Sequence, residues 1–439
     1  MYQLLRGLRV IECASFIAAP SCALHLQQMG AQVIRIDPIG GGPDAHRWPL
    51  SPNGSSLYWE GLNKGKLSIA VDFASSEGRA LVAQLICAPG DRGGLFVTNF
   101  PADGFLSHER LSQGRADLIT ARIMGWPDGT PAVDYTVNAA IGMPYMTGTV
   151  TSAMTGTASS AMTGAVTNAT TGVPNTLSGV GGTQPSDPVN HVLPAWDLLA
   201  GAYAAFALLA AERHRQATGQ GQEVRVPLSD IAIASLGHLG QIAEVHSGAD
   251  RPKQGNTVFG AFGRDFKTAD GKRVMVVAIT PRQWAGLVKS LDLGAAVAGI
   301  EAALGVSFVQ DEGLRFVHRD VLTPLVEAAI ARRSSDALGT VFDANGVCWG
   351  PYHTLKSALT EEPRLVSANP VFSPVAHPSG LTYPTPGAAA SFSQIERANA
   401  TRAPRQGEHT DQVLAELLGL SSTQIGQMYD RGLVAGPQG

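Results

Sequence analysis

One acidic residue has the setting of a reactive group. Asp197 follows the tripeptide Pro-Ala-Trp and opens a strongly apolar segment with helical spacing. An aspartate in this setting commonly caps the helix, and its charge complements the helix dipole. The same surroundings keep a partly buried carboxylate ionised and in place, and an ionised carboxylate can attack an activated acyl group. Position alone favours the cap, and a nucleophile is the alternative that stays open.

Basic residues near turns form a second candidate group. Arg35, Arg47, Lys64 and Lys66 lie among glycines close to the predicted ends of strands. Taken singly, such side chains are usually solvated surface charges. Together at strand ends they suit a phosphate-bearing cofactor, because guanidinium and ammonium groups bind phosphate.

Missing motifs and composition exclude several classes of protein. The sequence has no G-x-x-x-x-G-K-[ST], G-x-S-x-G or H-E-x-x-H motif, and no G-x-G-x-x-G at the first β–α turn. P-loop, hydrolase, zincin and NAD chemistry are therefore not indicated. The 11 histidines lack metal spacing and the 4 cysteines lack a C-x-x-C pair, so we expect neither a metal site nor a disulfide framework. A net charge of −4 over 439 residues gives no reason to expect nucleic-acid binding.

The composition predicts a folded enzyme in the cytoplasm. Hydrophobic residues make up 44% of the chain and charged residues 15%. Residues 1–12 lack the apolar core of a signal peptide. The longest apolar stretch, Leu198 to Ala211, is shorter than a bilayer span. We therefore expect no membrane partner.

The elements around these residues indicate an α/β fold. Strand-like and helix-like segments alternate through the first 125 residues, with strands at 8–12, 32–37, 67–72, 94–100 and 118–123 and helices at 18–29 and 77–87. Such alternation predicts a parallel sheet with helices on both faces. Ligands of these sheets bind beyond the carboxyl ends of the strands. Those ends fall near residues 37–42, 72 and 99–101.

The middle of the chain contains a low-complexity repeat. Residues 146–177 consist of four octads, MTGTVTSA, MTGTASSA, MTGAVTNA and TTGVPNTL. Their apolar content is too small for a separate core, so we expect a surface insertion over 146–186, with a small β-solenoid as the alternative. A helix from Asp197 to Arg215 and a strand at 223–228 follow. Residues 226–340 then contain their own strands and helices and predict a smaller domain, which separates residues 1–225 from 341–439.

Several segments of the chain resemble the family III, or formyl-CoA transferase-like, CoA-transferases. They are LRGLRVIECASFIAAPSCALHLQQMGAQVIRIDPIGGGPDAHR, LNKGKLSIAVD, VTNFPADGFL, AERHRQATGQGQEVRVPLSD and APRQGEHTDQVLAEL. They occur in the N-terminal, central and C-terminal parts of the chain, outside the octads. The resemblance implies a Rossmann-like large domain built from both chain termini, a smaller α/β domain and an interlocked homodimer.

The resemblance also implies a mechanism. The family's nucleophile is an aspartate that opens the helix before A-A-x-x-x-R-x-x-T-G-x-G-Q, and Asp197 occupies that position. Asp197 would attack an acyl-CoA thioester to give a mixed anhydride and CoA thiolate, which would then form an aspartyl-CoA thioester. An acceptor carboxylate would reverse these steps. No ATP is required, because the anhydride keeps the acyl group activated. Coenzyme A is expected as part of the substrate thioester rather than as a tightly bound cofactor.

A coenzyme A site follows from the same resemblance. Its residues lie in three turns, namely Ile17 and Ala18, then Val71, Asp72 and Phe73, then Asn99, Phe100 and Pro101. Two positions that are basic in family members are Pro38 and Ser107 here. We therefore expect Arg47 and Lys64 to contact the CoA phosphates instead.

One branch of the family is excluded by a single residue. The α-methylacyl-CoA racemases carry a histidine in a G-H-D-I-N-Y block as their second acid–base group. The corresponding residue here is Val133. Valine cannot exchange a proton, so racemisation is not expected.

Another branch matches the chain more closely. The segments VDYTVNAAIGMPYMTG, VNHVLPAWD and GNTVFGAFGRDFKTADGKRVMVV are similar to members that move CoA between the two carboxyl groups of one branched C4 dicarboxylate. A cation or polar donor must then hold the free carboxylate. The candidates are Tyr135, Asn190, His191 and Arg264. Intermolecular transfer to a free acid such as succinate, and a non-catalytic CoA-binding homologue, are the alternatives.

Overall fold

The computed structural model describes residues 1–149 and 187–437. Twelve strands occur in this part of the chain: β1 (Arg9–Cys13), β2 (Gln32–Pro38), β3 (Leu67–Val71), β4 (Leu95–Thr98), β5 (Ile119–Met124), β6 (Gln222–Pro227), β7 (Phe262–Lys267), β8 (Arg273–Ala278), β9 (Cys348–Pro351), β10 (Phe372–Ala376), β11 (Thr382–Pro386) and β12 (Val434–Ala435). The prediction of a surface insertion by the octads lies outside the described residues.

Helices connect these strands. They are α1 (Ala18–Gln28), α2 (Leu57–Leu62), α3 (Ser76–Ile86), α4 (His108–Gly114), α5 (Asp134–Ala140), α6 (Met143–Met146), α7 (Ala195–Thr218), α8 (Leu228–His238), α9 (Gln241–His246), α10 (Pro281–Ser290), α11 (Gly294–Leu304), α12 (Glu312–Val317), α13 (Arg319–Ile330), α14 (Ser335–Asn345), α15 (Leu355–Glu361), α16 (Thr410–Leu418) and α17 (Ser422–Asp430).

A seven-stranded sheet confirms the predicted α/β fold. Its strand order is β12-β3-β2-β1-β4-β5-β6, and every neighbouring pair is parallel except β12 with β3. The chain runs outward from β1 to β2 and β3 on one side and then to β4, β5 and β6 on the other. The order therefore reverses between β1 and β4, the place where sheets of this kind bind ligands.

Local sequence explains why these strands are central. β1 to β5 are short, mostly apolar runs whose side chains are almost all buried, as expected for parallel strands covered on both faces. α3, α16 and α17 pack with the strands in one core, while α1 and α7 contact each other and strands of the sheet.

The described chain divides into two compact units. The first unit comprises Met1–Ile141, Val192–Ile242 and 361–437, so both termini contribute to the large sheet. The second unit comprises 142–149, 187–191 and Ala243–Thr360. Its antiparallel sheet β7-β8-β9 packs in one core with helical residues that include Trp284, Leu322 and Phe342. Residue 226, the predicted start of the smaller domain, lies in β6, and residue 341, the predicted return to the large domain, lies in α14. The predicted domain boundaries stay a prediction.

The helix α7 is longer than the predicted helix from Asp197 to Arg215. Among residues 1–149 and 187–437, it is the one helix long and apolar enough to span a membrane by length and composition. Its small residues Ala200, Gly201 and Ala204 are buried. A Cβ on Gly201 would lie 1.9 Å from the Ser21 hydroxyl and 2.7 Å from the Ala18 carbonyl. One face of α7 is thus packed closely on α1.

Candidate active site

The Asn99 side chain links the ends of β1 and β4 by hydrogen bonds to the backbone of the turn after β1. The Asn99 amide oxygen accepts a hydrogen bond from the Ser15 N–H at 3.1 Å, and its Nδ2 donates to the Ser15 carbonyl at 2.9 Å. Asn99 therefore holds the turn after β1 against the end of β4. Its predicted contact with coenzyme A stays a prediction.

The turn after β1 leads directly into α1. Phe16 has a φ of +67°, in the left-handed region that non-glycine residues rarely adopt. Ile17 is the N-cap residue of α1 and makes no side-chain cap, and Ala18 is buried. The first amides of an 11-residue helix are thus placed at the strand-order reversal, an arrangement that attracts phosphate groups.

Two of the other turn residues assigned to coenzyme A, Phe73 and Phe100, belong to an aromatic cluster. The ring of Phe73 lies 6.3 Å from Phe100 and 5.9 Å from Phe105, measured between centroids. Asp72 accepts a hydrogen bond from the Ala74 N–H at 2.9 Å, which lowers the pKa of Asp72. Val71 is fully buried, so its side chain belongs to the core.

The carbonyl groups of Phe100 and Pro101 are held by an arginine. Arg122 Nη1 donates to these two oxygens at 2.7 and 2.9 Å. The turn after β4 is therefore held in place by a side chain of β5.

Two of the four basic candidates belong to an internal ion network. Arg35 forms ion pairs with Glu12, Asp37 and Asp44 at 3.1, 2.9 and 3.0 Å. Lys66 lies 2.7 Å from Glu12, and both cationic side chains are fully buried. The hypothesis that Arg35 and Lys66 bind phosphate is therefore wrong, because each charge is already neutralised inside the protein.

Lys64 and Arg47 have different environments. Lys64 is only 6% exposed, its ammonium donates to the Gly61 carbonyl, and burial lowers its pKa to about 8. The guanidinium of Arg47 belongs to an exposed residue and lies 5.5 Å from the ring of Phe16 and 5.2 Å from that of Tyr58. Arg47 is thus the more accessible cation at this edge of the sheet.

Asp197 is a half-buried carboxyl group in the first turn of α7. Burial raises its pKa to about 7, the negative charge of Asp134 adds to the rise, and the positive charge of Arg47 opposes it. A carboxyl group balanced between its two forms near neutral pH is typical of a functional site.

The start of α7 is capped by a different aspartate. Asp134 Oδ2 accepts hydrogen bonds from the Trp196 N–H at 2.7 Å and the Asp197 N–H at 3.2 Å. The N-cap position is occupied by Pro194, which has no side-chain cap. The interpretation of Asp197 as the cap is therefore wrong, because Asp134 on α5 satisfies these amides.

Other residues of α5 hold the same segment. Trp196 Nε1 donates to Asn138 Oδ1 at 3.1 Å, and the Tyr135 hydroxyl donates to the Val192 carbonyl at 3.1 Å. Sequence reasoning missed Asp134 and Asn138. The available signal was their spacing of four residues, which places both on one face of a helix.

Tyr58 is a further residue that sequence reasoning missed. Its hydroxyl is shielded from solvent and has no hydrogen-bond partner within the described residues. Burial raises the pKa of Tyr58 to about 12, and the charge of Asp197 contributes to the rise while Arg47 opposes it. Tyr58, Arg47 and Asp197 therefore influence one another electrostatically.

The remaining predicted substrate residues belong to the second unit. They are Asn190, His191 and Arg264, and their role stays a prediction. Within residues 1–149 and 187–437, no group of three histidine, cysteine or acidic side chains is arranged to hold a metal ion.

The fold and site define a class of protein. In the doubly wound sheet, the N-terminus of α1 lies at the strand-order reversal. The same unit positions the carboxyl group of Asp197, which does not cap α7. Such an arrangement suits acyl transfer through a carboxylate nucleophile.

Comparisons with known proteins identify the family. The model of CoA-transferase family III matches residues 5–173 and 155–410. The 2-methylfumaryl-CoA isomerase of Chloroflexus aurantiacus is 45% identical over 439 residues, which is 100% of this chain and 99% of that protein. The human succinyl-CoA:glutarate CoA-transferase is 26% identical over 437 residues, covering 98% of this chain and 90% of that one.

The fold has solved counterparts. A crystal structure of a CAIB/BAIF family protein from Brucella suis superposes with a TM-score of 0.70 at 23% identity and covers 95% of this chain and 100% of that chain. The chain therefore belongs to CoA-transferase family III, and the resemblance seen in the sequence is confirmed.

Proposed function

We propose that the protein transfers CoA between the C1 and C4 carboxyl groups of mesaconate, the reaction of a 2-methylfumaryl-CoA isomerase. The full-length identity of 45% to an enzyme of that name supports this reaction. The observation that carries the proposal is the carboxyl group of Asp197, which the cap provided by Asp134 leaves available for chemistry.

The reaction proceeds through two covalent forms of Asp197. The ionised carboxylate attacks the thioester carbonyl, the carbon–sulfur bond breaks, and an aspartyl–acyl anhydride and CoA thiolate result. The thiolate attacks the aspartyl carbonyl, which forms aspartyl-CoA and releases the acyl group as mesaconate. The other carboxylate of mesaconate then attacks the carbonyl of aspartyl-CoA, the carbon–sulfur bond breaks, and a second aspartyl–acyl anhydride and CoA thiolate result. The thiolate attacks the acyl carbonyl of this anhydride, which gives the isomeric thioester and restores the Asp197 carboxylate. Charge and atoms balance without ATP.

Coenzyme A binds at the strand-order reversal in this proposal. The first amides of α1 after Ile17 face the phosphates, and the turns that contain Phe73 and Asn99 border the rest of the cofactor. Lys64 is a weak candidate for a phosphate contact because it is buried.

Arg47 suits the reacting end of the substrate better than the phosphates. Its charge acts on Asp197, whereas the pantetheine arm separates the phosphates of coenzyme A from its sulfur. We assign Arg47 to the free carboxylate of the substrate, and the roles predicted for Tyr135, Asn190, His191 and Arg264 stay predictions. A guanidinium group is well matched to a carboxylate.

The test uses mesaconyl-C1-CoA without any added acid, with the isomers separated by chromatography. The C4 thioester is expected with the native protein and not with Asp197→Ala. If the product forms only after a free acid is added, the transfer is intermolecular, as the name of the human relative describes for that enzyme. CoA binding without turnover of any acid would indicate a non-catalytic homologue.

The family resemblance further supports a homodimeric protein of the cytoplasm. Racemisation is not part of the proposal, since Val133 at the start of α5 has no titratable group.

A further inference from the structure

The second unit contains a cavity of about 300 Å³. Its walls come from the loop before β7, from β7 itself and from the first turns of α13, and the lining residues are Thr257, Ala261, Phe262, Gly263, Arg264, Arg319, Asp320, Thr323, Pro324 and Glu327. All of these residues belong to one compact unit. The cavity is therefore a feature of that unit alone.

Arg264 lines this cavity and has a hydrogen-bond donor without an acceptor in the part of the chain that the structure describes. Its Nε is shielded from solvent and has no hydrogen-bond partner within the described residues. The guanidinium carbon lies 5.9 Å from the ring of Phe266 on the same strand. A shielded charged donor without an acceptor is unfavourable, so an anionic acceptor in the cavity would stabilise it.

A second guanidinium lines the same cavity. Arg319 Nη1 donates to the Phe316 carbonyl at 2.8 Å, and its guanidinium carbon lies 4.5 Å from the Phe316 ring. These contacts hold the Arg319 side chain in one place.

The loop before β7, which lines the cavity, is fixed in position. The ring of Phe259 lies 5.0 Å from that of Phe316 and 3.7 Å from the guanidinium carbon of Arg251. The Val258 N–H donates to the Gly263 carbonyl at 2.8 Å. A cavity held in this way needs little ordering when a ligand binds.

The charges of the lining select the kind of anion. Two arginines are offset by Asp320 and Glu327, so the lining has no net positive charge and favours a group of low charge density. Each carboxylate group carries one charge, whereas phosphate concentrates about two on one group, and a carboxylate suits the planar guanidinium of Arg264. The hydroxyls of Thr257 and Thr323 add neutral hydrogen-bonding groups.

We propose that this cavity is a binding site for a small carboxylic acid, with Arg264 as its main anchor. The acid is either free in solution or the unesterified end of an acyl-CoA, and both share the same carboxylate. The inference uses only residues of the second unit and does not depend on the chemistry proposed for Asp197.

The first experiment measures the binding of free mesaconate and of succinate to the full-length protein by calorimetry, without coenzyme A. Arg264→Gln is expected to weaken binding about tenfold or more, and Arg264→Lys less, because the charge remains while the planar fork is lost. Arg332→Gln is the matched control, since Arg332 is exposed and outside the lining. Equal affinity of native protein and Arg264→Gln, with Arg264→Lys also unchanged, would overturn the proposal.

The second experiment separates the two sources of the carboxylate and the two sites. The measurements use Asp197→Ala protein, which cannot catalyse transfer. In this protein, Arg264→Gln weakens either the binding of free mesaconate alone or the binding of mesaconyl-CoA as well. The first result identifies a free acid and the second an acyl-CoA carboxylate. Loss of acid binding in Asp197→Ala itself, or tighter binding of inorganic phosphate than of mesaconate, would contradict the inference.

Discussion

At the scale of the residue, the chemistry depends on one carboxyl group and its charged neighbours. Asp197 has a pKa of about 7 because it is half-buried and is influenced by the negative charge of Asp134, and Arg47 moderates the effect. A nucleophile with a raised pKa is more basic and hence more reactive once ionised, yet it remains available at neutral pH.

The rate of CoA transfer should therefore rise with pH through about 7, because only ionised Asp197 attacks the thioester. Removing a positive charge raises the pKa, so Arg47→Gln should move the midpoint to higher pH and also raise KM. Measurement of kcat/KM and of KM against pH checks both effects. A midpoint that does not move in Arg47→Gln would show that Arg47 does not act on Asp197.

The ionised carboxylate of Asp197, which transfer requires, should reduce the stability of the fold. A carboxyl group whose pKa is higher in the folded state favours folding at low pH and loses that contribution as pH rises through the folded pKa. Asp197→Asn should thus increase the free energy of unfolding by about 2 kcal/mol or more near pH 8. The gain should shrink as pH falls toward about 4, and denaturant titration at several pH values measures it. An equal gain at every pH would rule out this linkage.

At the scale of the element, α5 sets the start of α7. Asp134 accepts from two amides of that helix, and its charge also acts on Asp197. Asp134 therefore both positions the start of α7 and raises the pKa of Asp197, and substitutions can separate these two effects.

Asp134→Asn keeps an acceptor oxygen and removes the charge, so the pH midpoint of transfer should fall while the fold is retained. Asp134→Ala removes the acceptor as well and should reduce the free energy of unfolding by about 1–3 kcal/mol. The comparison of pH profiles with thermal denaturation distinguishes positioning from support of the fold. An unshifted profile in Asp134→Asn would count against the electrostatic effect.

The contact between α1 and α7 is a second element-scale constraint. Gly201→Ala places a methyl group against the Ser21 hydroxyl and the Ala18 carbonyl, so the helices must separate. We expect a loss of about 1–3 kcal/mol of stability and a higher KM for acyl-CoA, because α1 begins at the proposed CoA site. Gly299→Ala in α11, where nothing lies within 4 Å of the added Cβ, is the control and should be neutral or stabilising.

At the scale of the whole molecule, the chain is organised around a sheet that both termini complete. β12 near the C-terminus pairs with β3, and the second unit is inserted between segments of the first. The predicted strands agree with the observed ones to within one or two residues at most ends. This agreement arises because alternating apolar runs and glycine turns are local properties of the sequence.

An interlocked homodimer is the prediction at this scale. Light scattering of the purified protein should give a mass twice the 45.8 kDa of the chain, and the mass should persist on dilution because interlocked chains separate only by unfolding. A monomer with full transfer activity would show that the second chain is dispensable.

The sequence by itself determined the α/β class, the family and Asp197 as the nucleophile candidate, because these depend on local periodicity and on motifs that are contiguous in the chain. Only the tertiary structure decided which partners the charged residues have. Arg35 and Lys66 looked like phosphate ligands and are internal ion pairs with Glu12, while the cap of α7 comes from a residue 63 positions before Asp197. Such pairings arise from packing between distant segments, and no local pattern records them.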